Sequence, residues 1–163
     1  MDKKSVYIET SVISYLAARR SRNLVAAAWQ EISWEFWETH RDNYELYTSE
    51  LVVAEASAGQ AEAAERRVAL LRGIPELAVT ESARDLTASI LAEGALPAKA
   101  ELDALHIAIA AVHSVDLILT WNCRHLDNPT SKPLVRHVCE ECGYVCPEIC
   151  TPLELAEAQT DEG

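Results

Sequence analysis

Four short stretches each place a side chain able to hold a divalent cation against an apolar background. In Val6-Tyr7-Ile8-Glu9-Thr10-Ser11, three β-favouring residues run into a carboxylate and two hydroxyls follow it at once. Glu55 lies within Leu51-Val52-Val53-Ala54-Glu55-Ala56, and Asp103 within Glu101-Leu102-Asp103-Ala104-Leu105-His106-Ile107-Ala108. Asn122 follows the apolar run Val115 to Thr120 as Thr120-Trp121-Asn122. A charge on an apolar helix face is costly unless it is paired or holds a metal. Carboxylates brought together repel one another, and a divalent cation relieves that repulsion. Oxygen ligands without a histidine cluster point to Mg²⁺ or Mn²⁺ rather than zinc. Each of these residues taken singly also reads as a solvated surface group. The pattern across four segments is what suggests a site.

The elements that must position these residues can be read from periodicity. Val6 to Ile8 reads as a short buried strand ending at Glu9, with Thr10 or Ser11 capping the helix that follows. In a parallel sheet, chemistry collects at the carboxyl ends of strands, which is where this places Glu9. A second helix is expected over Leu24 to Thr39, with Val25, Trp29, Ile32 and Phe36 facing the core, Trp34 well off that stripe and Trp37 at its margin. Tyr44 to Tyr47 reads as a strand, and Thr48-Ser49-Glu50 opens a helix carrying Glu55. Helices are expected over Gln60 to Arg72, with Gly73 as its stop, and from Thr80 to Gly94. A short strand at Leu77 to Val79 separates them. Lys99 to His113 is the most helical stretch, and Val115 to Thr120 alternates too little for an exposed sheet. Ser131 to Cys142 reads as helix and Val145 to Cys150 as a last strand. Thr151-Pro152-Leu153-Glu154 then has a hydroxyl N-cap, a first-turn proline and a glutamate at the third position. Helices alternating with buried strands imply a three-layer α/β/α domain with a short, mainly parallel central sheet, occupying residues 1–163 as one unit.

Composition narrows the function classes. The 163 residues are 49% apolar and 25% charged, a globular profile large enough to bury a core without staples. The formal net charge of −12 counts against a constitutive nucleic-acid binder, but not against an enzyme whose carboxylates carry metal ions. No apolar run approaches the ~20 residues of a membrane span. The N-terminal Met-Asp-Lys-Lys-Ser leaves no room for a signal peptide, so a cytoplasmic location is expected. Cys139, Cys142, Cys146 and Cys150 invite a metal reading, but their spacings match neither paired zinc knuckles nor the common cluster-binding run. Reduced thiols acting as small buried hydrophobes are the plainer expectation.

Taken in order, the four stretches resemble the PIN-domain nucleases, and in particular the VapC-like toxins of type II toxin–antitoxin pairs. That family opens with a hydrophobic strand, an acidic residue, Thr and Ser, matching Val6 to Ser11. Its second acidic residue lies in a helix after a second strand, matching Glu55. Its third sits in an Asp-Ala-Leu-His-Ile-Ala-like helix, matching Asp103, and its fourth follows Thr at a strand end, matching Thr120 and Asn122. Two departures stand out: Glu9 replaces the usual Asp, and the amide Asn122 replaces an acid.

The resemblance implies a divalent-metal-dependent endoribonuclease that hydrolyses RNA phosphodiester bonds. Glu9, Glu55, Asp103 and Asn122 would hold Mg²⁺ (or Mn²⁺). Thr10, Ser11, Thr120 and Arg124 would orient ligands or contact the substrate, and His125 lies beside them at the rim with Arg19, Arg20, Arg22 and Lys99. Implied partners are the RNA substrate, an antitoxin protein and a second copy in a homodimer. His106 reads as a partly buried packing residue. The alternative is a PIN-like domain with weakened catalysis that acts as an RNA- or protein-binding module. A phosphatase is disfavoured because the first strand lacks Asp-x-Asp, and no phosphate-binding glycine loop is present.

Overall fold

The fold is that of a computed structural model describing residues 2–160; Met1 and residues 161–163, which the expected domain includes, lie outside the described residues. Five strands form one sheet in the order β3-β2-β1-β4-β5. They are β1 (Ser5–Ile8), β2 (Glu45–Ser49), β3 (Glu76–Leu77), β4 (Leu117–Leu119) and β5 (Glu148–Cys150). Every pairing is parallel, with Tyr7 beside Tyr47 on one side and Ile118 on the other. The three-layer α/β architecture expected from the alternation is therefore the one observed.

From β1 the chain moves outward to β2 and β3 through α1 (Thr10–Ala17), α2 (Leu24–Glu35), α3 (Glu50–Ala56) and α4 (Ala61–Leu71). It then crosses back to β4 through α5 (Glu81–Ala92) and α6 (Glu101–Val112), and reaches β5 through α7 (Lys132–Glu141). Right-handed crossovers in opposite directions place these two groups on opposite faces of the sheet. The helix contacts agree, since α1 touches α2, α3 and α4 while α5 touches α6 and α7. The direction of winding reverses between β1 and β4. In an open parallel sheet, the crevice beyond the strand ends at that reversal is where ligands bind.

Burial explains why these elements form. Val6, Tyr7 and Ile8 are fully buried, as are Ile118 and Leu119 beside them. Helix α6 is buried from Ala104 through Ala111, which makes it the central helix of its layer. The closing helix α8 (Pro152–Thr160) starts as expected: the Thr151 hydroxyl accepts from Glu154 N–H at 3.1 Å, and Glu154 Oε1 accepts from Thr151 N–H at 3.0 Å.

Several local expectations need correction. Glu9, not Thr10 or Ser11, is the N-cap of α1, because its carboxylate reaches the Ser11 N–H. Helix α2 changes to a π-type turn at Phe36–His40, and Val25 is 60% exposed rather than core. The buried face of α2 carries Gln30 and Ser33 because the neighbouring loops need polar partners there. Gln30 accepts from Ser21 N–H and donates to the Arg19 carbonyl, while Ser33 Oγ accepts from the Trp121 indole N–H at 2.7 Å. Trp34 is half-buried, with its indole N–H on the Leu16 carbonyl. β2 runs on to Ser49, whereas the strands read as Val115 to Thr120 and Val145 to Cys150 are paired only over Leu117–Leu119 and Glu148–Cys150. Of the cysteines in the C-terminal run, Cys139 is buried, Cys142 is exposed, and Cys146 and Cys150 are half-buried.

Candidate active site

Glu9 leaves the end of β1 and folds back over the first turn of α1. Its Oε2 accepts from Ser11 N–H at 3.1 Å, and its Oε1 accepts from the Ser11 and Thr120 hydroxyls at 2.5 and 2.6 Å. Those hydroxyls are themselves fixed, since Trp121 N–H donates to Ser11 Oγ and Asn122 N–H donates to Thr120 Oγ1. The residue is only 6% exposed. Hydrogen bonds from several donors fix the orientation of this buried carboxylate.

Glu55 lies on the last turn of α3, the helix that follows β2, on the same side of the reversal point as β1. Its Oε1 accepts the Thr10 hydroxyl at 2.7 Å and meets His106 Nε2 at 2.6 Å. Burial works against its ionisation, but the His106 and Thr10 hydrogen bonds and the His106 charge outweigh it and hold the Glu55 pKa below the ordinary glutamate value. Ligand atoms of Glu9, Glu55 and His106 all lie within 4.8 Å of one another, the only such group of three found among the described residues. Two carboxylates this close, one buried and one half-buried, suit a divalent cation, and the oxygen donors suit Mg²⁺ or Mn²⁺.

Asp103 is held differently. Its Oδ1 accepts from Asn122 Nδ2 at 3.1 Å, and its Oδ2 pairs with His125 Nδ1 at 3.0 Å. The Asn122 carboxamide oxygen in turn accepts from His125 N–H at 3.0 Å. Because a backbone N–H can only donate, that bond fixes which end of the carboxamide faces which neighbour. Asn122 therefore joins the loop after β4 to α6, with its amide nitrogen toward Asp103. Thr120, two residues earlier in the same loop, donates to Glu9, so one short segment links both carboxylate groups.

The four acidic or amide positions thus assemble at the strand ends as two adjoining groups, Glu9 with Glu55 and Asp103 with Asn122. The hydroxyls of Thr10, Ser11 and Thr120 all donate to the carboxylates. Arg124 is exposed directly beyond the Asn122 turn. Arg19 and Arg20 pair on the surface with Glu62 and Glu31.

Sequence reasoning gives Tyr7 and Ser49 no part in the site and reads His106 and His125 in other roles. His106 is 1% exposed and bonded on both ring nitrogens, not a mere packing residue. Its Nδ1 meets the Tyr7 hydroxyl at 2.6 Å, and that hydroxyl meets Ser49 Oγ at 2.8 Å. Burial pushes the Tyr7 phenol far above its ordinary pKa, so it stays protonated. His125, expected at the rim, is instead anchored on Asp103. The available signal was periodicity: Tyr7 and Glu9 alternate on a strand, and Asp103 and His106 are three apart on a helix, so each pair projects from one side of its element.

The fold has a solved counterpart in the crystal structure of VapBC2 from Rickettsia felis bound to a DNA fragment from their promoter. The match covers 90% of this chain and 98% of that chain, with a TM-score of 0.58 and 11% identity. No curated protein matches the chain significantly. The sequence does match the family described as PIN domain, over residues 6–127. That segment begins at β1, spans Glu9, Glu55 and Asp103, and ends just beyond Asn122 and His125. By this match, which takes in every residue of the acidic crevice, the chain belongs to the PIN-domain family.

Proposed function

We propose that the protein is a divalent-metal-dependent ribonuclease, the toxin half of a toxin–antitoxin pair. The observation that carries this reading is the approach of the Glu9 and Glu55 carboxylates at the reversal point of a PIN fold, each braced by hydroxyl donors. Support for the toxin assignment comes from the resemblance of the four motifs to VapC-like toxins and from the fold likeness to VapBC2. Glu9 and Glu55 would hold Mg²⁺ or Mn²⁺, with Asp103 and Asn122 completing the acidic wall. When bound, such an ion lowers the pKa of water and stabilises charge developing on a phosphate.

The chain's own residues have distinct tasks in this scheme. Ser11 and Thr120 keep the Glu9 carboxylate aimed, and Thr10 does the same for Glu55. Asn122 holds the Asp103 side chain and the 120–125 loop together, which brings Arg124 to the edge of the crevice as a phosphate contact. Among the described residues no helix is long and apolar enough to cross a membrane. A cytoplasmic location, an antitoxin partner and a homodimer complete the proposal.

A second reading has one observation in its favour. Both ends of the Asn122 carboxamide are committed within the protein, which leaves the fourth position without a charge to offer. A site weakened in this way would bind RNA or a partner without turning over. Purified protein incubated with RNA separates the two readings. Metal-dependent cleavage lost in Glu9→Gln and Asp103→Asn supports the nuclease, whereas binding without cleavage supports the module. Identical fragments from wild type and Asp103→Asn would remove Asp103 from the site.

A further inference from the structure

We propose that Tyr7 is a positioning residue for the metal site, acting through His106 to present one oxygen of Glu55 to the cation. The inference rests on the reading of Glu9 and Glu55 as metal ligands. It begins from the direction of a hydrogen-bond chain that starts and ends on α3.

Val52 N–H donates to Ser49 Oγ at 3.1 Å, and the Ser49 hydroxyl, 2.8 Å from the Tyr7 oxygen, is free to donate its proton there. The Tyr7 hydroxyl proton then points to His106 Nδ1, and the remaining ring proton sits on Nε2, facing Glu55 Oε1. Each group donates once and accepts once, so no buried atom in the chain is left unpaired. With a neutral His106 the reverse direction would require Nε2 to accept from Glu55, and with both ring nitrogens protonated Nε2 still donates to Glu55. Glu55 is an acceptor here, since the Thr10 hydroxyl already donates to the same Oε1.

Two consequences follow for the site. Oε1 of Glu55 receives both donors, whereas Oε2 has no hydrogen-bond partner among the described residues and is the oxygen available to a cation. His106, although close enough to be counted with the carboxylates, carries a proton on the nitrogen that would have to bind the metal. It acts behind Glu55, as outer hydrogen-bond partners do for metal ligands generally. Tyr7 is what holds it there, because the fully buried phenol offers the hydroxyl paired with Nδ1.

The test uses the full chain labelled with ¹⁵N-histidine, followed by long-range ¹H–¹⁵N correlation with and without Mg²⁺. The His106 signal should show a protonated Nε2 in both conditions. Loss of the Nε2 proton on adding Mg²⁺ would make His106 a ligand and overturn the proposal. In Tyr7→Phe, which keeps the ring, the His106 nitrogen shifts should move toward a mixture of tautomers. The Mg²⁺ dissociation constant from calorimetry should rise about tenfold. Unchanged shifts and unchanged affinity would overturn the inference while leaving the metal site standing. A wild-type protein that binds no Mg²⁺ would instead remove the reading beneath it. The wild-type spectra decide the role of His106 even if Tyr7→Phe fails to fold.

Discussion

Replacing Asn122 by aspartate adds an acid where the resembled family has one, and the structure indicates what that would cost. The Asn122 amide nitrogen sits 3.1 Å from Asp103 Oδ1 and donates to it. In Asn122→Asp an oxygen takes that place, so a favourable contact becomes a like-charge contact. At that distance and an effective dielectric of ~20, the repulsion is about 5 kcal/mol. Both side chains are half-buried, so solvent screening reduces this to roughly 2 kcal/mol. The lost hydrogen bond contributes about 1 kcal/mol more. A urea midpoint lower by about 1.5 M is therefore expected at neutral pH in chelator, taking a slope of ~2 kcal/mol per M.

The pH dependence of that deficit has a definite sign. Repulsion raises a carboxyl pKa of the pair in the folded state above the unfolded aspartate value of about 3.9. Relative stability is then fully regained below that value and lost as pH rises through the folded pKa. Mg²⁺ should recover part of the loss by neutralising the added charge. Urea unfolding at pH 4 and pH 7, with and without Mg²⁺, measures all of this. A variant as stable as wild type in chelator at pH 7 would show that the Asn122–Asp103 contact does not hold the loop as described.

Two further substitutions test the packing around the site. Thr48 Oγ1 is buried without a hydrogen-bond partner among the described residues, so Thr48→Val should stabilise the protein by about 1 kcal/mol in thermal or urea unfolding. Thr10→Val removes a donor from a carboxylate and should cost about 2 kcal/mol at pH 7. Because the Glu55 pKa is lowered, the stability it confers is present above its unfolded value, near 4.5, and lost as pH falls through the folded pKa. Unfolding at pH 3 should therefore show a smaller cost for Thr10→Val than at pH 7, and an equal cost would contradict the assigned bond.

The parts of this protein legible in its sequence are those that depend on runs of one residue class. Buried parallel strands leave continuous apolar stretches, so β1 and β4 stand out. The capping box at Thr151 and Glu154 is a local rule and was readable for that reason. Helix α2 was misjudged in detail because Gln30 is turned inward to serve the preceding loop and Ser33 to serve the distant Trp121, needs that no periodicity reports. The same limit applied at the site. Glu9, Glu55, Asp103 and Asn122 were identifiable as polar positions in apolar surroundings, but their division into two groups depends on the path of the 120–125 loop. Tyr7 and His106 were hidden because a buried tyrosine or histidine looks like core until its partner is known.

In the proposed function, a cation held by Glu9 and Glu55 drives RNA hydrolysis. Single-turnover cleavage of a structured RNA, titrated with Mg²⁺ in wild type and in Glu55→Gln, tests it most directly. No cleavage is expected in chelator, a saturable rise with Mg²⁺ in wild type, and in Glu55→Gln a titration displaced to higher Mg²⁺ with a lower plateau. Cleavage that persists in chelator, or a Glu55→Gln titration that overlays wild type, would contradict it.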